Sequence, residues 1–180
     1  MKIVVLGAPS GVGKNSVMDG LLDTYPDVFL QFPSIASRPM RPGESQGKPY
    51  FFVTGNEFLE KVRSGDVFEY TDIHGDFRGM SASIIDEFGK TGKLLIKDCD
   101  YIGVLALKEK YGADNVTAIF LTAPRDVAEL RIRKRGETEE YTQMRLANYD
   151  REMATAHHFD HVVESITVEQ SVNDIMRLLN

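Results

Sequence analysis

Residues 2–16 read KIVVLGAPSGVGKNS, and this stretch decides the class of fold. Its first part, Lys2 to Leu6, is a short run of mostly apolar, β-branched residues and predicts a buried strand. A glycine-rich turn follows from Gly7 to Gly13, and a helix is expected from about Gly13 to just before Pro26. A strand, a turn and a helix in this order indicate an α/β protein built on a parallel sheet.

The turn and the start of the helix also have the composition of an anion-binding loop. Glycines let the backbone curl so that successive N–H groups point inward, and the helix N-terminus adds about half a positive charge. Lys14 supplies a full charge that suits the β and γ phosphates of a nucleotide. A glycine-rich turn without a ligand is the structural alternative. The candidate phosphate-binding residues are Ala8, Pro9, Ser10, Gly11, Val12, Gly13, Lys14, Asn15 and Ser16.

This loop departs at two positions from the motif G-x-x-x-x-G-K-[ST]. Ala8 replaces the first glycine and adds one methyl group. Asn15 stands where a hydroxyl normally ligates Mg²⁺, an ion that prefers six oxygen ligands near about 2.1 Å. Asn15 could offer its amide oxygen to the metal, or Ser16 could reach a phosphate, and the sequence leaves this open.

Further apolar runs continue the alternation of strands and helices. Residues 93–96 and 116–121 predict buried strands, and each is followed by a helical pattern, at residues 101–111 and about 124–135. The last elements are expected to be a long polar helix, a short strand and a final helix, at residues 138–157, 161–163 and 168–179. The parallel strands should then open onto one ligand-binding edge.

Residues 33–80 differ from this pattern. Four prolines and six glycines break this segment into short aromatic strands. The segment is therefore expected to form a lobe inserted into the α/β core.

Composition narrows the class of protein. The chain of 180 residues is 42% hydrophobic and 27% charged, which is typical of one folded domain. Its net charge of −6 argues against general binding to nucleic acid or to a membrane surface. Its apolar runs are too short to cross a bilayer, and a single cysteine, Cys99, cannot form an internal disulfide framework. We therefore expect a cytoplasmic location.

A second basic stretch lies inside the expected lobe. Arg38 and Arg41 are three residues apart in a proline-stiffened loop, and Tyr50 follows a Gly-Lys-Pro turn. Two guanidinium groups and a phenol suit a dianionic monophosphate, which needs fork-shaped donors. A solvated basic loop is the alternative.

This stretch and the phosphate loop together resemble the guanylate kinase family. The family signature runs Thr-Arg, two residues, Arg-x-Gly-Glu, then Gly and Tyr-x-Phe; this chain has Ser37-Arg38, Arg41-Pro42-Gly43-Glu44, Gly47 and Tyr50-Phe51-Phe52. Nearly the whole chain fits the pattern. The resemblance implies a P-loop three-layer α/β/α fold with a parallel core sheet, an inserted nucleoside-monophosphate-binding lobe and a helical lid. It places the core at residues 1–32, 81–130 and 150–180, the GMP-binding lobe at 33–80 and the lid at 131–149.

The resemblance also implies a reaction: the γ-phosphoryl group of ATP, bound with Mg²⁺, is transferred to GMP or dGMP. Arg38, Arg41 and Tyr50 would hold the GMP phosphate, while Ser34 and Glu69 would face the guanine. An ionised Glu69 accepts hydrogen bonds from the N1–H and the 2-amino group of guanine, whereas adenine has no donors there. An outward-facing glutamate on a strand is the alternative. The chain's partners would be small nucleotides, and its oligomeric state stays open.

Two carboxylates match the family's Asp-x-Asp at the end of a core strand. Asp98 and Asp100 could contact the GMP base, and Asp98 could order a water on Mg²⁺. For Asp100 a helix cap is the alternative. Lys97 departs from the family, which usually has an apolar residue there.

Three arginines resemble those of the family's lid. Arg131 and Arg135 lie on one helix face before Gly136-Glu137-Thr138, and Arg145 follows ten residues later. Guanidinium groups closing over the transferred phosphoryl group would stabilise its charge. A solvated basic helix face is the alternative, and this lid is one residue shorter than usual. By resemblance the catalytic residues are Lys14, Arg38, Arg131, Arg135 and Arg145.

Other departures concern the substrates. Arg78 and Met80 stand where the family commonly has Tyr and a small hydroxyl residue, and Arg78 could add charge at the GMP site. Glu164 and Ser165 replace Val-Asn near the adenine. Two other functions therefore stay open: a GMP-binding module that has lost turnover, and a related kinase for another phosphorylated acceptor.

Overall fold

The computed structural model describes residues 1–136 and 138–179. Its strands and helices follow one another along the chain as β1 (Ile3–Gly7), α1 (Lys14–Thr24), β2 (Phe29–Gln31), β3 (Ser34–Ala36), β4 (Ser45–Gln46), β5 (Pro49–Phe52), α2 (Gly55–Arg63), β6 (Val67–Ile73), β7 (Asp76–Ser81), α3 (Ala82–Gly89), β8 (Leu94–Asp98), α4 (Tyr101–Tyr111), β9 (Val116–Thr122), α5 (Arg125–Arg133), α6 (Glu139–Met153), β10 (His161–Glu164) and α7 (Val168–Leu179).

A parallel sheet forms the centre of the molecule. Its strand order is β10-β9-β1-β8-β2, and β1 pairs in parallel with both β8 and β9. In this register Leu6 lies beside Asp98, so the phosphate loop after β1 and the carboxylates at the end of β8 share one edge of the sheet. The expected parallel α/β core is confirmed.

Helices cover both faces of this sheet. One face packs against α1 and α7, with Val17 and Ile175 fully buried, and the other packs against α4, with Val104 and Leu107 fully buried. Burial of each such side chain stabilises the fold by about 1.5 to 3 kcal/mol. Three layers are therefore present, as expected.

A second sheet occupies the segment expected to form the lobe. Its strand order is β4-β5-β3-β7-β6, and its small core is made by Ile35, Phe58 and Val67. Phe58 comes from α2, whose start is fixed by a capping box between Thr54 and Glu57. The sequence pattern predicted neither α2 nor α3.

Several element boundaries differ from the expectation. The long polar helix begins at Glu139, after the capping residue Thr138, and ends at Met153 rather than near His157. A separate short helical turn covers residues 156–158. The lid prediction includes Glu137, which lies outside the described residues. Among residues 1–136 and 138–179, no helix has the length and apolar character needed to cross a membrane.

Candidate active site

The loop between β1 and α1 is shaped by two glycines with positive φ. Gly11 has φ +85° and Gly13 has φ +102°. A Cβ on Gly11 would lie 2.6 Å from the carbonyl oxygen of Ala128 in α5, so a larger residue would clash with backbone. The loop can therefore pack directly on α5 while its inner side faces the start of α1.

A cavity of about 300 Å³, here called the loop cavity, lies against this turn. Eight of the nine candidate phosphate-binding residues line it; Val12 instead has a fully buried side chain in the core. The cavity is completed by Arg135, Arg145 and Glu152. Two predicted arginines thus face the predicted phosphate site together with Lys14.

A second cavity, of about 250 Å³, is called the base cavity because the residues predicted to face guanine line it. Burial raises the pKa of Glu69, and nearby Asp100 raises it further while Lys97 opposes both. The predicted residues in its wall are Ser34, Glu69, Arg78, Asp98 and Asp100, and they are joined by Thr71, Ile73, Gly79, Met80, Lys97 and Cys99.

An ion pair connects the two cavities. Lys14 Nζ lies 2.6 Å from Asp98 Oδ2. Burial alone would raise the pKa of Asp98, but the charge and hydrogen bond of Lys14, together with the charge of Lys97 and a backbone hydrogen bond, outweigh it and the pKa is lowered. A bridging cavity of about 190 Å³ is lined by Lys14, Asp100 and Glu152, and so shares residues with both of the larger cavities. The loop cavity and the base cavity are therefore neighbours.

The predicted phosphate-binding arginines behave differently from each other. Arg38 is 5% exposed and donates two hydrogen bonds to the Glu44 carboxylate, at 2.6 and 2.7 Å. Arg41 is exposed, and its backbone N–H donates to Glu44 at 2.8 Å. Hydrogen bonds from Arg38 and from the Arg41 amide hold the pKa of Glu44 at about 2. Glu44 thus fixes the loop that carries both arginines.

Two guanidinium groups lie close to the ring of Tyr50. Those of Arg38 and Arg78 are 5.3 and 5.6 Å from the centre of its ring. The Nε atoms of both arginines are buried without a hydrogen-bond partner among the described residues. Buried donors of this kind suit an anionic ligand. Because Arg78 also lines the base cavity, this cluster adjoins it.

The lid arginines make different contacts. Arg145 Nη1 donates to Ser10 Oγ at 3.4 Å, beside the loop cavity. Arg131 donates to the carbonyl oxygens of Val12 at 2.7 Å and Ile166 at 3.1 Å, and so ties α5 to the phosphate loop. Arg135 is exposed and lines both the loop cavity and a cavity of about 280 Å³ beside Arg131. Their roles in the transition state stay predictions.

Asp100 is a helix cap, as the alternative interpretation predicted, and it also lines the base cavity. It caps α4 by accepting a hydrogen bond from the Gly103 amide at 3.0 Å.

The residues predicted to hold Mg²⁺ offer oxygen atoms. Asn15 is exposed in the first turn of α1 and lines the loop cavity, and Asp98 lies in contact with Lys14. Among the described residues no group of three or more His, Cys, Asp or Glu side chains could hold a metal. This donor set fits an ion that keeps several waters and is bound mainly through nucleotide phosphates.

Three residues of the site were missed by sequence reasoning. Glu44 is part of the family signature quoted above, so the sequence marked its position. Its hydrogen bonds to Arg38 could not be predicted from the spacing of the two residues in the sequence. Glu152 accepts a hydrogen bond from the Ser10 amide at 3.0 Å, inside the phosphate loop. Lys97 was noted only as a departure, and its place in the base cavity depends on the fold.

Comparison with known proteins places these features in a family. The guanylate kinase family matches residues 1–180. A guanylate kinase of Thermotoga maritima is 34% identical over 181 residues, which is 99% of this chain and 86% of the relative. One of Fusobacterium nucleatum is 33% identical over 178 residues, which is 98% of this chain and 95% of the relative.

A solved structure supports the same fold. The crystal structure of guanylate kinase from Anaplasma phagocytophilum superposes with a TM-score of 0.71 at 24% identity, covering 99% of this chain and 84% of that one. The match of the whole sequence, together with a phosphate loop and a base cavity joined by Lys14 and Asp98, shows that this chain belongs to the guanylate kinase family.

Proposed function

We propose that the protein transfers the γ-phosphoryl group of ATP to GMP or dGMP, giving ADP and GDP or dGDP. The observation that carries this proposal is the 2.6 Å contact between Lys14 of the phosphate loop and Asp98 of the base cavity. Phosphoryl transfer needs the donor and acceptor phosphates close together and in line, and the adjoining cavities support the first of these requirements.

The donor would bind in the loop cavity. Loop amides and Lys14 hold the β and γ phosphates, while Arg135 and Arg145 balance the charge that develops on the transferred group. Arg131 would contribute from the neighbouring cavity while it holds the carbonyl of Val12. The protein forms no covalent intermediate, because its task is to position the reactants and to stabilise charge.

The acceptor would bind between the base cavity and the Tyr50 cluster. Glu69 accepts from N1–H and the 2-amino group of guanine, with Ser34, Asp98 and Asp100 in the same wall. Arg38, Arg41, Tyr50 and Arg78 hold the phosphate. The buried Nε donors of Arg38 and Arg78 support this assignment.

Mg²⁺ would accompany ATP, with Asn15 and Asp98 as its protein ligands or as partners of its waters. When bound, the ion neutralises phosphate charge. Asp98 can take that part only if Lys14 turns from Asp98 to the phosphates. The core (1–32, 81–130 and 150–180) would then support closure of the lobe (33–80) and the lid (131–149) around both nucleotides.

The setting follows from the same chemistry. Small nucleotides are the proposed ligands, whereas the net charge of −6 does not favour nucleic acid or an anionic membrane surface. We propose a cytoplasmic location, where ATP and nucleoside monophosphates are available.

A coupled assay of ADP release tests the function. With ATP and Mg²⁺, each nucleoside monophosphate is supplied in turn, and we expect turnover with GMP and dGMP. A preference for another base would refute the assignment of guanine. Calorimetric binding of GMP without ADP release would indicate a binding module, and turnover of another acceptor without GMP binding would indicate a different kinase. A Lys14→Met variant, which should lose turnover but still bind GMP, guards against a contaminating kinase.

A further inference from the structure

Lys97 is a buried cation near the end of strand β8 in the core sheet. It lies on β8 beside Val5 of β1 and is 8% exposed. Its Nζ donates one long hydrogen bond, to the carbonyl oxygen of Phe32 at 3.5 Å, and lies 5.5 Å from the centre of the Phe32 ring. Within the described residues it makes no ion pair. A buried ammonium with so few partners is costly, because each N–H left without an acceptor has lost its hydration.

The surroundings of Lys97 point to a ligand. Its side chain lines the base cavity together with Glu69 and Met80. The charge of Lys97 acts on Glu69, where it opposes the rise in the Glu69 pKa caused by burial. Burial in turn lowers the pKa of Lys97, while Asp98 and Glu69 act against that change. The cavity therefore holds a half-buried acceptor, Glu69, and a buried donor, Lys97, within electrostatic reach of each other.

Guanine presents a matching set of groups on one edge. N1–H and the 2-amino group are donors, and O6 beside them is an acceptor. Once a carboxylate takes the two donors, O6 is buried and needs a donor of its own. The side chain of Met80 in the cavity wall has no N–H or O–H to donate, whereas the Lys97 ammonium has N–H groups to spare.

We propose that Lys97 reads position 6 of the purine by donating a charge-assisted hydrogen bond to O6 of the base whose N1–H is held by Glu69. This inference rests on the proposed function and names the acceptor class as 6-oxopurine monophosphates. Adenine carries an amino group at position 6, which would place two donors against each other. Lys97 and Glu69 would then select guanine from two sides.

The test compares two variants of the full chain that lose the same charge. Lys97→Met keeps the length of the side chain but removes the donor, and Lys90→Met does the same at a side chain 72% exposed on the surface. Relative to Lys90→Met, Lys97→Met should lower kcat/KM for GMP by about 10- to 100-fold, mainly through KM. The loss for IMP, which keeps O6 but lacks the 2-amino group, should be the same factor.

The outcomes separate this inference from the proposed function. A kcat/KM for GMP within twofold of the Lys90→Met value, a loss confined to kcat, or a loss for GMP but not IMP would each overturn the role at O6. Thermal unfolding followed by circular dichroism should show that Lys97→Met is folded. If the wild-type chain bound GMP without turnover, the proposed function would fail, yet Lys97→Met must still weaken calorimetric binding of GMP for the inference to stand. If the wild-type chain bound no GMP, both would fail.

Discussion

Glu69 must be ionised to accept from guanine, so its titration should appear in the kinetics. Burial raises its pKa, Asp100 raises it further, and Lys97 partly offsets both. As the pH falls through this raised pKa, the carboxylate gains a proton and loses its place as an acceptor, and kcat/KM for GMP should fall. Glu69→Gln should lower kcat/KM at neutral pH by about 10- to 100-fold and remove this acid limb. An unchanged pH profile in Glu69→Gln would show that another group titrates.

Asp66 joins α2, β7 and α3 and should make the stability of the fold depend on acid. It accepts from Ser83 N of α3 at 2.8 Å, Lys61 Nζ of α2 at 2.9 Å and Ser81 Oγ of β7 at 3.0 Å. Burial alone would raise the pKa of Asp66, but these bonds outweigh it and hold the pKa at about 2. The folded-state pKa is depressed, so this stabilisation is fully present above about pH 4 and is lost as the pH falls towards 2.

Asp66→Asn should therefore lower the free energy of unfolding by roughly 1 to 2 kcal/mol at neutral pH and flatten its decline between about pH 4 and 2. Urea unfolding at several pH values measures both effects. Asp23→Asn, an exposed change on α1, serves as the control. Parallel acid curves for Asp66→Asn and the wild-type chain would show that Asp66 does not carry the effect.

Helix α6 brings charges of both signs to the phosphate loop. Arg145 donates to Ser10 Oγ, while Glu152, two turns later, accepts from the Ser10 amide at 3.0 Å. ATP phosphates would meet the Glu152 charge inside the loop cavity. Glu152→Gln should lower the KM for ATP by about 3- to 10-fold, because a like-charge contact of about 1 kcal/mol is removed. Steady-state kinetics of Glu152→Gln measures this, with Glu140→Gln, an exposed change at the other end of α6, as the control. A raised KM for ATP would mean that Glu152 assists binding of the nucleotide.

The elements that the sequence predicted share one property: their signal is local. Lys14 and the start of α1 follow from a strand, glycines and a lysine at fixed spacing. The short helix α3 has no such signal, since its eight residues are fixed by the Ser81 cap and by burial of Ile85 against the core. Lys97 follows the predicted strand 93–96 and carries only the signal of a departure, because its place beside Glu69 in the wall of the base cavity depends on the pairing of β8 with β1. Roles that depend on contacts between distant segments therefore needed the fold.

Across the whole molecule, the ion pair of Lys14 and Asp98 joins the donor and acceptor sites, and this coupling can be measured. Lys14→Met and Asp98→Asn should each lower kcat/KM for GMP by at least about 100-fold. In the double variant the losses should not add, because each single change already leaves the other group without its partner. A control cycle uses Lys61→Met and Asp66→Asn. Lys61 Nζ and Asp66 Oδ2 are 2.9 Å apart, and neither residue lines the loop cavity or the base cavity. In the control cycle, the effects of the two changes on the free energy of unfolding should be coupled, while kcat/KM should stay nearly unchanged. Additive losses of kcat/KM at Lys14 and Asp98 would mean that the two cavities work independently.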